Sequence, residues 1–336
     1  MKLLRSLKGQ LQSRPRLLGA ADVLLLPITL AAVLWAKALR MLPLRHLPAS
    51  REVFRRLGIF PVRDHYYEPA FLGTPTSSGP RDLPGIDLRT EQQLELLGRL
   101  GHQDELLAFP RSGPPNFEAD PYFHYGNGSY MSGDAEALYA IVRHHRPSRI
   151  IEIGSGFSTL MARAALARNR EEDGTPVDHR CVEPYSFGWL DGLEDVTVVR
   201  EKVEEVALST FASLAEDDVL FIDSSHMIRP GGDVLFEYLQ LLPRVAPGVL
   251  VHIHDVFTPY DYPADWVHTE GRLWNEQYLL EAFLSCNRDF EIVLALNHLA
   301  RDHGEALGRA FPVYAEEGGD RPLGSIWLRR LGATPG

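Results

Sequence analysis

The residues best suited to chemistry stand at a few points in the second half of the chain. Arg149 to Ala162 reads R-I-I-E-I-G-S-G-F-S-T-L-M-A. An apolar β-branched run ends at Glu152–Ile153, and Gly154, Ser155, Gly156 and Ser158 then turn the chain tightly into a helix. Glycines there permit unusual backbone angles and let a ligand approach closely. Such a loop fits a dinucleotide as well as other nucleoside cofactors, and Glu152 separates the two. A carboxylate before the loop is poorly placed beside a pyrophosphate, which wants bare amides at a helix N-terminus. It suits a ligand carrying an ammonium and a sulfonium. The third glycine of the dinucleotide pattern is also missing, with Ser158 near its place. Glu183 closes the next apolar run, H-R-C-V-E-P-Y, 29 residues after Gly154. An acid at that point can accept both hydroxyls of a ribose. Further on, the Asp217–Asp218 pair leads into V-L-F-I-D-S-S-H, with Asp223 at the end of the run and His226 three residues later. A-P-G-V-L-V-H-I-H-D-V sets His254 beside Asp255, and His252 shares a strand face with His254 deeper in the sheet.

These residues need a scaffold that brings the ends of several strands together. Strands are expected over Arg149–Ile153, His179–Glu183, Val196–Arg200, Val219–Asp223, Val249–His254, Phe290–Leu296 and Ser325–Arg330. Helices are expected over Ser132–Arg143, opened by a Ser-Gly-Asp-Ala-Glu cap, and over Ser158–Arg168, Asp233–Leu242 and Leu273–Ser285. This alternation predicts an α/β fold with a Rossmann-like, doubly wound, mostly parallel seven-stranded sheet. Ligands in such sheets bind beyond the carboxyl ends of the strands.

Taken together and in order, the four elements resemble the class I S-adenosylmethionine-dependent methyltransferases over roughly Ser132 to Leu331. The nearest branch is the small-molecule one, with macrocin-type sugar O-methyltransferases and cephalosporin hydroxylase-like domains. The resemblance implies that the loop Glu152–Ser158 holds the methionine part of S-adenosylmethionine, that Glu183 holds the ribose, and that residues near Glu201 to Val203 lie by the adenine. It also places Asp223 at the cofactor. Several members of the branch bind a divalent cation through acids after the fourth and fifth strands, which here correspond to Asp223, His254 and Asp255. Magnesium or manganese is the implied ion, although an imidazole in the set departs from the usual carboxylate pair. An alcohol acceptor must lose its proton as it attacks the methyl group, and histidine is the natural base near neutral pH. His226 or His254 is expected to take that proton, with Asp255 orienting or ligating. Two aromatic segments, Tyr122–Met131 and Phe257–Trp274, are expected to shape the acceptor pocket. The acceptor is expected to be a small molecule or glycan precursor. Two alternatives stay open: a non-catalytic S-adenosylmethionine-binding module tethered to a membrane, and a metal-dependent oxygenase on the same fold.

Charge divides the chain. Residues 1–63 carry 12 Lys and Arg against two acids, and the remainder carries 22 against 43. An acidic body repels nucleic acid. The basic segment instead suits an anionic membrane surface, because it encloses an apolar run from Leu17 to Ala36. A membrane-attached helix, a helix docked on the body and a signal peptide all fit that run. The predicted divisions are a basic hydrophobic segment at 1–63, a helical and irregular extension wrapping the body at 64–131, and the catalytic domain at 132–331. Thr74–Pro84 is expected to be a loop and Glu91–Leu100 a helix. Cys181 and Cys286 have no metal-type spacing, and two thiols without a disulfide pattern fit a reducing compartment. The expected location is cytoplasmic, attached to the inner face of a membrane. Oligomeric state is not legible.

Overall fold

The computed structural model describes residues 15–42, 46–59, 61–62, 79–174 and 176–332. The chain forms two compact units, Met1–Pro75 and Thr76–Gly336. In the first, helix α1 runs over Pro15–Met41 and contains Pro27. Its stretch Ala21–Met41, of mean hydropathy 1.8, is long and apolar enough to cross a membrane by length and composition. Helix α2 covers Pro48–Leu57 and stops at Gly58, whose left-handed backbone returns its N–H to the Phe54 carbonyl. The expected loop Thr74–Pro84 lies partly outside the described residues, and its part from Gly79 onward is irregular.

The second unit is built on a seven-stranded sheet. Its strands are β1 Arg149–Ile153, β2 Asp178–Val182, β3 Thr197–Val199, β4 Val219–Ile222, β5 Leu250–His254, β6 Phe290–Ala295 and β7 Ser325–Arg330. The order is β3-β2-β1-β4-β5-β7-β6. The first five run parallel, and β7 is antiparallel to both neighbours, β5 and β6. The doubly wound, mostly parallel sheet read from the sequence is therefore the observed architecture. The winding direction reverses between β1 and β4, and a crevice opens at such a reversal beyond the strand ends.

Long helices flank the sheet: α3 Thr90–Arg99, α4 Asp134–His145, α5 Phe157–Asp173 and α6 Glu276–Leu284. Alternate strand residues feed two cores. Ile150, Cys181, Phe221 and Leu250 pack with α4 and α5, whereas Ile151, Val182, Leu220 and Val251 pack on the opposite side with Val234, Tyr238 and Leu280. The segment before α4 clasps the far edge of the sheet. Gln93 Oε1 accepts from the Ala295 N–H at 2.7 Å, and the Arg81 N–H donates to the Pro259 carbonyl at 2.8 Å.

Two helices differ from expectation. The one expected over Asp233–Leu242 has a regular turn at Asp233–Phe236, a wide π turn at Glu237–Leu241 and a 3-10 turn at Leu242–Arg244. Pro243 in that last turn has no N–H to give. The helix expected from Leu273 begins only at Glu276. The N–H groups of Asn275 and Glu276 both donate to the His226 carbonyl, at 3.0 and 3.2 Å, and hold the preceding chain out of helical register. Three short helices between β6 and β7, Leu296–Asp302, Gly304–Ala310 and Pro312–Glu316, had no sequence expectation.

Candidate active site

The glycine loop is fixed from below. The Gly154 N–H donates to the Val182 carbonyl at 3.0 Å, and the Asp223 N–H to the Ile153 carbonyl at 2.9 Å. The ends of β2, β1 and β4 are thereby tied in a row. Gly154 has φ +85°, and a Cβ there would lie 2.1 Å from the Asp223 carbonyl oxygen. Gly156 is different: its backbone is extended, and a Cβ would meet nothing within 4 Å. It faces open space, where a ligand can approach.

Glu152 lies in β1 just before the glycine loop. The residue is 1% exposed. Its Oε2 accepts from Ser158 Oγ at 3.2 Å and Thr159 Oγ1 at 3.0 Å, and its Oε1 pairs with His179 Nε2. Thr159 Oγ1 in turn accepts from the Gly156 N–H at 3.2 Å. Glu152, expected at the methionine part of a cofactor, thus binds the loop and His179 in this structure. Ser158 is likewise turned inward through its hydroxyl. Burial penalises the charged His179 ring, but the neighbouring Cys181 and the bonded Glu152 carboxylate outweigh it and raise its pKa to about 10. A pKa raised on folding from 6.5 gives stability that is complete below pH 6.5 and lost as pH rises through about 10. The melting temperature is expected to fall across that window, and thermal scans of His179→Gln should lose this part of the slope.

Two cavities lie above the strand ends and share Asp223. The larger, of about 720 Å³, is lined by Gly128 to Met131, the loop Ser155–Ser158, Asp223, His254, Asp255, Phe257, Trp266 and Arg272, among others. The smaller, of about 290 Å³, is lined by Gly154, Glu183, Tyr185, Lys202, Val203, Glu204 and Asp223, among others. Glu183 accepts from the Tyr185 N–H at 2.8 Å, and burial raises its pKa. Lys202 and Val203, from the segment Glu201–Val203 expected near the adenine, thus line one small cavity with Glu183, and Glu201 lies outside it.

The aromatic segments divide. From the first, Gly128 to Met131 line the large cavity, while Tyr122 and Phe123 line a separate groove against α5. From the second, Phe257 and Trp266 reach the cavity. Arg272 sits in the corner of an edge-to-face indole pair there, 3.9 Å from the Trp266 ring centre and 4.5 Å from that of Trp274. Stacked this way, the guanidinium is held by cation–π attraction and closes one wall.

Of the metal set expected from the sequence, Asp223 and Asp255 come together, and His226 joins them, with donor atoms all within 4.8 Å of one another. His226 Nε2 is 3.2 Å from Asp223 Oδ1 and 3.4 Å from Asp255 Oδ2. His254 instead stands to the side, its Nε2 3.7 Å from Asp255 Oδ1. His226 and Asp255 both take left-handed backbone angles, φ +58° and +55°. Those angles aim the two side chains inward from the loops after β4 and β5, and non-glycine residues hold them where surrounding structure compensates the strain. Burial opposes charging His226, yet its bonds to Asp223 and Glu276 hold its pKa well above the usual value. Burial likewise opposes a charged His254, but the nearby Asp255 and Asp223 raise its pKa. His252, deeper in β5, stacks on Phe221 at 4.1 Å, and burial drives its pKa well down, so it is a neutral core ring.

Glu276 escaped the sequence reading. It is buried at the start of α6 and accepts from His226 Nδ1 at 2.8 Å and the Tyr238 hydroxyl at 3.0 Å. It lies 50 residues from His226, and no local motif marks it. A carboxylate that fixes the far nitrogen of a histidine orients the near one, as behind metal-binding histidines.

Residues 151–256 match the family described as "Methyltransferase domain". A relative from Archaeoglobus fulgidus, described as an uncharacterized protein, is 33% identical over 137 residues, or 40% of this chain. The chain spans only 60% of that relative's length. Among solved structures, the chain is similar to the plantazolicin methyltransferase BpumL in complex with SAH, with TM-score 0.39, 10% identity and coverage of 72% and 99% of the two chains. It is also similar to the O-methyltransferase TomG from Streptomyces achromogenes in complex with SAM, with TM-score 0.35, 14% identity and coverage of 71% and 90%. A third similar structure, "cmcI-D160 Mg-SAM", has TM-score 0.33 and 17% identity, with coverage of 87% and 97%.

Proposed function

We propose that the chain is an S-adenosylmethionine-dependent methyltransferase acting on a hydroxyl oxygen of a small molecule or glycan precursor. The observation that carries this reading is the pair of cavities meeting at Asp223. One is sized and lined for the nucleoside, the other is open and aromatic-walled, and the glycine loop lies between them. In this arrangement Glu183 accepts the ribose hydroxyls, Val203 and Glu204 flank the adenine, and Ser155 and Gly156 face the methionine. The methyl group then points into the larger cavity, where an acceptor oxygen can align with the carbon–sulfur bond. His254, on the wall of that cavity, takes the hydroxyl proton, and the nearby Asp255 carboxylate favours the charged ring that results.

His226 lies behind the acids and lines neither cavity, so it serves position rather than proton transfer. Asp223 and Asp255 supply carboxylate oxygens and His226 a ring nitrogen whose partner Glu276 fixes its orientation, a donor set that fits a divalent cation. The imidazole favours manganese over magnesium. When bound there, such an ion would acidify the acceptor hydroxyl. Without it, a protonated His226 supplies the positive charge that the two acids require. The length and composition of α1, with its basic surroundings, support attachment of the enzyme to the inner face of a membrane.

Glu183→Ala is expected to weaken S-adenosylmethionine binding by roughly 1–3 kcal/mol, through loss of charge-assisted bonds to the ribose. Calorimetric titration measures it, and an unchanged dissociation constant would remove Glu183 from this role.

A further inference from the structure

Helix α2 separates two kinds of side chain along its length. Ala49, Val53 and Leu57 recur every fourth residue and form one stripe. Arg51 and Arg55 occupy the opposite arc, and Glu52 and Arg56 border the stripe on one side. The apolar stripe faces outward: Val53 is 53% exposed, Leu57 70%, and Ile59 just beyond the helix 68%. Glu52 offsets part of the charge, pairing with Arg55 at 2.8 Å and Arg56 at 2.7 Å, and Arg51 adds to the excess. Apolar side chains exposed along one stripe, with guanidinium groups opposite it and at its border, fit the boundary of an anionic bilayer. There acyl chains receive the first and lipid phosphates the second. The helix starts seven residues after α1 ends.

We propose that α2 lies in the headgroup layer of an anionic membrane, with Val53 and Leu57 toward the acyl chains and Arg51, Arg55 and Arg56 at the phosphates. The inference rests on reading α1 as a membrane segment, but it adds a requirement for negative lipid that insertion of α1 does not carry. Hydrogen exchange on the full-length chain tests it. The protein is reconstituted into vesicles of phosphatidylcholine alone or of phosphatidylcholine with phosphatidylglycerol. Amides of residues 49–58 are expected to exchange more slowly on the anionic vesicles than on the neutral ones. Leu57→Asp should abolish the difference. Neutralising Arg51, Arg55 and Arg56 together to glutamine should reduce the preference for anionic vesicles by about tenfold or more.

Equal exchange on both vesicles would overturn the proposal. So would slow exchange without lipid, which would mean that protein covers the stripe. Retention on neutral vesicles through an alkaline wash reports α1 separately. Protection of α2 on anionic vesicles, together with loss from neutral ones, would uphold the role of α2 and remove the insertion of α1.

Discussion

Replacing His254 with alanine is expected to slow methyl transfer roughly 10²- to 10⁴-fold while leaving S-adenosylmethionine affinity nearly unchanged. His254 lines the acceptor cavity and is absent from the smaller one. Removing it should therefore cost proton transfer and spare the cofactor. Release of S-adenosylhomocysteine against a panel of hydroxyl acceptors measures the first effect, and calorimetry the second. His226→Ala provides the contrast. His226 bridges Asp223 and Asp255 and is braced by Glu276, so its loss should weaken manganese binding about 10- to 100-fold, by analogy with losses around other metal sites. His254→Ala should not share that effect. If His254→Ala turns over at the wild-type rate, the base lies elsewhere, and Asp255 becomes the first candidate.

The second large effect concerns two glycines that look equivalent in the sequence. Gly154→Ala is expected to destabilise the fold by about 3 kcal/mol or more, because its φ of +85° is strained for any Cβ and the Asp223 carbonyl would lie 2.1 Å away. In a unit of this size that corresponds to a melting temperature lower by roughly 6–12 °C. Gly156→Ala should leave the melting temperature almost unchanged, since nothing lies within 4 Å of its Cβ. Its methyl group would instead intrude on the bound cofactor and weaken S-adenosylmethionine binding. Thermal scans and titrations on the two variants read these effects independently. Equal loss of stability in both would mean that the loop is only structural.

What could be read from the sequence was whatever local pattern encodes. Short β-branched runs alternating with helical spacing gave the strands and their class, since the central strands β1, β4 and β5 are buried on both faces and read as largely apolar runs. The glycine loop was visible because backbone conformation restricts residue type at Gly154. Contacts across long separations were not visible. The role of Glu152 depends on His179, 27 residues away, so the acid looked free for a ligand when it is bound within the core. The choice between His226 and His254 in the Asp223–Asp255 cluster depends on left-handed backbone angles at His226 and Asp255, which residue type does not dictate. The start of α6 at Glu276 was likewise hidden, because the His226 carbonyl, a tertiary acceptor, captures the N–H groups before it.

Titration of the full-length chain with S-adenosylmethionine, and separately with NADH, tests the central claim most directly. The account predicts saturable S-adenosylmethionine binding at one site, no comparable binding of NADH, and competition by S-adenosylhomocysteine. Binding of NADH in preference to S-adenosylmethionine, or no binding of either with or without manganese, would contradict it.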